Sequence, residues 1–171
     1  MATKRKIFYS FHYDHDVFRV QQIRNIGTLE ENEPVKANAW EDIKKGGDKA
    51  IENWINDTMK DRNCAVILVG EKTAERPWVR YEIKKAWADG KGVLGIHIHN
   101  LKCPVKIREY PYTGKSNKGV NPFETFTLGN KDMSSIVQCY NPDPNDAYGD
   151  IKAGLEKWVE KAIEIRNNYS K

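Results

Sequence analysis

One stretch of the chain concentrates side chains able to do chemistry: Arg76-Pro77-Trp78-Val79-Arg80-Tyr81-Glu82-Ile83. Its carboxylate, Glu82, follows Trp78 by four residues, one helical turn. A buried or half-buried carboxylate can stabilise an oxocarbenium-like charge building on a ribose and can hold the ribose hydroxyls. Aromatic rings near strand ends can stack on a flat heterocycle, and Phe11, Tyr13, Trp40, Trp78 and Tyr81 are the candidates. Ser10, Arg19, Asn25 and Asp42 offer hydroxyl, amide or charged contacts to a ribose or a phosphate. Each has a plainer reading. Glu82 could be an exposed helix carboxylate paired at i+3 or i+4, a pair worth about 0.3 kcal/mol. The rings could be core, and a polar group at a strand end more often caps a helix. On the residues alone the plain reading of Glu82 is preferred.

His97 and His99 alternate on a predicted strand, so they face one side, with Cys103 four residues beyond His99. An HxHx3C metal site is the sharper reading. Two histidines bonded to loop backbone is the preferred one, because a closed zinc site needs four ligands and no fourth is evident. No metal is therefore expected. The three cysteines, Cys64, Cys103 and Cys139, include no CxxC pair and read as small core residues in a reducing cytoplasm. No glycine-rich phosphate loop follows the first strand, and no GxSxG or HExxH motif occurs, which disfavours hydride transfer, P-loop, serine esterase and zinc protease chemistry.

These side chains need a scaffold, and the hydrophobic pattern is that of an α/β protein. Strands are predicted at 7–11, 64–69, 93–98 and 135–140, with a weak one at 35–40. The turn-like Tyr13-Asp14-His15-Asp16 precedes a helix carrying Val17, Val20, Ile23 and Ile26. A second helix carries Ile51, Ile55 and Met59, and a third starts at Pro77, a residue suited to a first helical turn. A C-terminal helix spans about 147–168. Residues 101–133, rich in Pro and Gly, read as a long loop insertion, serving as a cover or a partner-binding flap. The expected fold is a flavodoxin-like, doubly wound five-stranded parallel sheet in a single domain of residues 1–171. Ligands of such sheets bind beyond the carboxyl ends of the strands, which directs attention to 11–16, 40–47, 70–82 and 97–101.

The chain has 171 residues, 39% of them hydrophobic and 30% charged, the balance of a globular domain. Its 28 Lys and Arg are interleaved with 24 Asp and Glu, so the net +4 does not form the basic face of a nucleic-acid binder. No apolar run is long enough for a signal peptide or a membrane span, and residues 1–6 read as a frayed end.

The pattern Trp78-Val79-x-x-Glu82-Ile83, between the strand Ala65-Val66-Ile67-Leu68-Val69 and Gly90-Lys91-Gly92-Val93-Leu94-Gly95-Ile96, resembles the corresponding helix of TIR domains. The segments Ile7-Phe8-Tyr9-Ser10-Phe11-His12-Tyr13, Phe18-Arg19-Val20, Arg24-Asn25 and Trp40-Glu41-Asp42 with Lys44-Lys45 resemble a narrower group, the bacterial TIR-like ThsB proteins of the Thoeris anti-phage system. The likeness covers roughly the first 100 residues and fades beyond Leu101. The Ser-x-Trp-Cys lead-in of many TIR domains is replaced here by Arg76-Pro77-Trp78-Val79. The resemblance implies that Glu82 is catalytic and that NAD is a consumed substrate rather than a cofactor. It further implies a cyclic ADP-ribose-type product read by a downstream effector, with self-assembly on activation, in the cytoplasm, without nucleic acid or membrane. Two other readings stay open: a non-catalytic TIR-like interaction module, and a sensor that binds an intact dinucleotide.

Overall fold

A computed structural model describes residues 5–26, 30–31, 43, 45–102, 115 and 117–169; for 13–18 and 30–31 it describes the backbone only. The chain begins with β1 (Lys6–Ser10), α1 (Tyr13–Arg24) and β2 (Glu30–Glu31). It continues through α2 (Gly47–Met59), β3 (Cys64–Val69), α3 (Pro77–Ala88) and β4 (Gly92–His97). A short hairpin, β5 (Thr127–Leu128) and β6 (Lys131–Asp132), precedes β7 (Cys139–Tyr140) and α4 (Ala147–Tyr169).

Five strands form one sheet in the order β2-β1-β3-β4-β7, every pair parallel. This is the flavodoxin-like order anticipated from the hydrophobic pattern. Every residue of β3 and β4 is buried, as central strands covered on both faces must be. Alternation then divides the core. Ile7, Tyr9, Val66, Leu68, Leu94 and Ile96 pack against α1 and α4, while Phe8, Ala65, Ile67, Val69 and Val93 pack against α2 and α3. The i, i+4, i+8 stripe of Ile51, Ile55 and Met59 is the buried face of α2.

Three expectations change. The tetrapeptide Tyr13-Asp14-His15-Asp16 is the first turn of α1 rather than a turn before it. The second strand is seen at Glu30–Glu31, and the predicted strand at 35–40 lies outside the described residues. The strand predicted at 135–140 pairs only at Cys139 and Tyr140, because Met133–Ser135 winds into a 3-10 turn in which Ser135 donates to the Asp132 carbonyl.

The described part of the 101–133 insertion is structured. Asn121 caps the 3-10 turn Pro122–Thr125 by accepting from the Phe123 N–H at 2.9 Å, and Phe123 is fully buried. The β5–β6 hairpin follows, its turn made by Gly129 at φ +63°, a conformation glycine adopts without strain. Residues 103–114 and 116 lie outside the described set.

Candidate functional site

The carboxyl edge of the sheet brings together Ser10, Glu82, His97 and His99. Ser10 ends β1 with the parity of Phe8, so it faces the α2/α3 layer, and its register partner is Ile67. Glu82 lies in the second turn of α3, whose buried face is Val79, Glu82, Ile83 and Ala86. A helix face at this spacing normally holds four apolar residues. Here one of the four is a carboxylate.

Glu82 is 8% exposed, and burial pushes its carboxyl up to about 8. Ser10 lies close enough to offset part of that rise, yet neither Ser10 Oγ nor Glu82 Oε2 completes a hydrogen bond. Buried polar atoms in native proteins are nearly always paired, so two adjacent orphans mark a place where a ligand or solvent group belongs. The exposed, ion-paired reading of Glu82 is thereby excluded: Lys85, three residues on, pairs instead with Asp89 at 3.0 Å.

The other predicted site residues divide. Trp78, one turn before Glu82, is half-buried beside the α2/α3 layer, and its ring meets that of Tyr81 edge-on at 5.5 Å. Tyr81 is turned toward α2, its hydroxyl donating to Asn56 Oδ1 at 2.9 Å, which occupies that hydroxyl with helix packing. Phe11 reaches the same sheet edge but packs against the α1/α4 layer, opposite Glu82.

Arg19 is fully buried and its Nε donates to the Leu101 carbonyl at 2.8 Å, tying α1 to the loop after β4. Asn25 is a correction. It is exposed at the C-cap of α1, which starts at the carboxyl edge and returns the chain to the amino edge, where Glu30 pairs with Lys6. Twelve helical residues span about 18 Å, which removes Asn25 from the site. Asp42, Trp40 and Cys103 lie outside the described residues, as does the side chain of Tyr13.

The histidines carry more than their plain reading allowed. His97 is the register partner of Val69, and Ile98 between the two histidines packs into the opposite core, so His97 and His99 do share a face. Their rings meet edge-on at 5.8 Å, and the Nδ1 atom of each is buried without a hydrogen-bond partner. Burial, reinforced by the Lys118 cation, holds His97 down to about 4 and lowers His99 as well. Both are neutral near pH 7. Among the described residues no three His, Cys, Asp or Glu side chains are grouped to hold a metal ion.

The insertion runs over this edge. Gly119 is pressed against the end of β3 so closely that a Cβ there would lie 2.0 Å from the Gly70 carbonyl oxygen. Phe123 covers Gly95 of β4, where a Cβ would lie 3.0 Å from its ring. Arg80 of α3 donates to Thr125 Oγ1 and holds its guanidinium 4.4 Å over the Phe126 ring. The helix that carries Glu82 is thus latched to the insertion. Sequence reasoning expected an insertion at 101–133 as a cover or flap but missed its ordered turns, although Asn121-Pro122 is a readable helix-start signal and Gly129-Asn130 a readable turn.

Residues 8–103 match the family described as Thoeris protein ThsB, TIR-like domain. A Bacillus cereus (strain MSX-D12) protein named "Putative cyclic ADP-D-ribose synthase ThsB1" is 35% identical over 125 residues, covering 70% of this chain and 62% of its own length. The matched part thus spans less than two thirds of that relative. A family match over more than half the chain, joined to this relative, shows that the chain belongs to the TIR-like domain family of Thoeris ThsB proteins.

Proposed function

We propose that this chain cleaves NAD+ at the bond between nicotinamide and ribose and closes the remaining ADP-ribose into a cyclic signal for anti-phage defence. The observation that carries the reading is the buried Glu82 carboxyl, its Oε2 without a hydrogen-bond partner, beside the Ser10 hydroxyl at the carboxyl edge of a doubly wound sheet. The name of the Bacillus cereus relative supports the same substrate class. As the glycosidic bond breaks, nicotinamide leaves as a neutral ring with the bonding electron pair, and positive charge develops on the ribose. Ionised Glu82 stabilises that charge in a site where little water screens it. A hydroxyl of the same ADP-ribose then attacks the anomeric carbon, forming the new C–O bond, and its proton passes to the Glu82 carboxylate and from there to solvent. Exclusion of water decides between cyclisation and hydrolysis, and the strap at 117–126 is the element over that edge.

Ionisation of Glu82 is assisted by the substrate, because the cationic nicotinamide ring favours the charged carboxylate beside it. NAD+ is a consumed substrate in this scheme and no other cofactor enters it. The product acts through a downstream effector, and self-assembly on activation completes the response.

The test is mass spectrometry of nucleotides from cells expressing this chain or its Glu82→Gln variant, with and without phage challenge. The expected result is free nicotinamide with an ADP-ribose-derived species only where Glu82 is intact. Identical profiles under every challenge would leave the non-catalytic interaction module as the reading.

A further inference from the structure

The catalytic proposal uses Glu82 and Ser10 and leaves a second set of unpaired polar atoms at the same sheet edge. His97 and His99 are 4% and 9% exposed, and the Nδ1 atom of each is buried with no partner. Each neutral imidazole carries one N–H, and in the tautomer that places it on Nδ1 the pair offers two donors without the desolvation cost of a buried charge. A cation stands beside them. Val69 is the register partner of His97, and Gly119 is seated on Gly70, the next residue after Val69. Lys118, adjacent to Gly119, is therefore carried to these strand ends, and its charge reaches both histidines. Lys118 is exposed, and among the described residues it makes no hydrogen bond or ion pair.

Two unpaired ring nitrogens able to carry N–H groups, backed by an unpaired cation, suit an anion, and the spacing suits a particular one. Ser10 and Gly95 lie two strands apart in one register row, and His97 lies two residues further along β4. Strand spacing and rise put the backbones of Ser10 and His97 roughly 12 Å apart. That distance, measured across the end of β3, matches the span of a ribose at Glu82 and the phosphates joined to it.

We propose that His97, His99 and Lys118 form the subsite that takes the diphosphate of the dinucleotide. The inference rests on the NAD+ reading for its ligand, but its chemistry is that of a diphosphate subsite in its own right. The lysine supplies charge and the imidazoles supply direction. The insertion is then part of the binding site as well as a cover, since it delivers the cation.

Titration of the full chain with inorganic diphosphate, followed by the imidazole resonances, tests the subsite without turnover. Both His97 and His99 signals are expected to shift. Lys118→Ala is expected to weaken diphosphate binding about tenfold, and Lys118→Arg to restore most of it. In turnover, Lys118→Ala raises KM for NAD+ by a similar factor while leaving KM for nicotinamide riboside, which has no diphosphate, unchanged. Unmoved histidine signals, or an unaltered KM for NAD+ in Lys118→Ala, would overturn the subsite and leave the Glu82 reading standing. A chain that binds diphosphate through these residues but never releases nicotinamide would keep the subsite and overturn the NAD+ reading.

Discussion

Glu82 costs the folded protein stability whenever it is charged, because its buried carboxyl takes its proton off only near pH 8 while an unfolded glutamate does so near 4.5. Between those values the folded state holds a proton that the unfolded state has released, so this group's contribution to stability is fully present below 4.5 and falls as pH rises through 8. Glu82→Gln removes the titration. The variant is expected to melt higher than the wild type at pH 8, by about 3–10 °C for a gain of roughly 1–3 kcal/mol, with the difference shrinking toward pH 5. Thermal melts across that range read it directly, and a wild type that matches the variant at every pH would mean the carboxyl is hydrated. On the proposed catalytic role, in which the ionised form acts, the same ionisation is expected to give kcat/KM for nicotinamide release a rising limb near pH 8, read by a pH–rate profile. Activity and stability thus move in opposite directions at one side chain. Reading this residue in the sequence was possible only in part: spacing put it on α3, but its burial comes from the packing of that helix on the sheet, and the hydroxyl that offsets the resulting rise, Ser10, lies 72 positions away at the end of β1.

At the scale of elements, the regular βα units were legible because their signals are local. The unbroken apolar run of β3, Pro77 at the start of α3 and the three-residue i, i+4, i+8 stripe of α2 each predict the element they form. The strap was not legible as a part of the site, because its meaning lies in distant contacts. Phe123 fits only where Gly95 leaves room, and Thr125 and Phe126 have a purpose only once Arg80 is beside them. Phe123→Ala is expected to destabilise the protein by about 3–5 kcal/mol through the cavity it leaves, measurable by denaturant unfolding. Gly95→Ala attacks the same contact from the strand, where the new methyl meets Cys139 Sγ at 2.8 Å as well as the Phe123 ring at 3.0 Å. A loss of about 1–3 kcal/mol is expected, and overpacking predicts that pairing it with Phe123→Leu recovers part of the loss. Stability unchanged in both single variants would mean the strap is not seated on β4.

Across the whole molecule, the two faces of the sheet have different duties. The α2/α3 face carries Glu82 and Ser10, and the α1/α4 face fixes the frame. Tyr140 of β7 stacks on Trp158 of α4 at 4.4 Å, and Gly92 of β4 approaches the α4 backbone so closely that a Cβ would lie 2.8 Å from Ile163 N. At its far end α4 reaches around to α3: Arg166 donates to the Trp87 carbonyl at 3.0 Å and lies 4.5 Å over the Trp87 ring. By contrast the Arg5–Glu160 pair is solvent-exposed, and its removal by Arg5→Ala is expected to cost under about 1 kcal/mol in urea unfolding, whatever its 2.6 Å separation suggests. The order of the sheet followed from alternation of strands and helices, whereas contacts between its outer layers could not be read, because a guanidinium meeting an indole 79 residues away leaves no periodic trace. The seat of Gly119 on Gly70 has a consequence for how such a protein can change. That contact is specified by missing atoms, so nearly any mutation at 119 removes it in one step, while nearly any at 118 or 120 leaves it intact. Selectable variation is thus channelled to the flanks of a fixed pivot, and a library that randomises 117, 118 and 120 around an invariant Gly119 would search new ligand preferences without first searching for a fold.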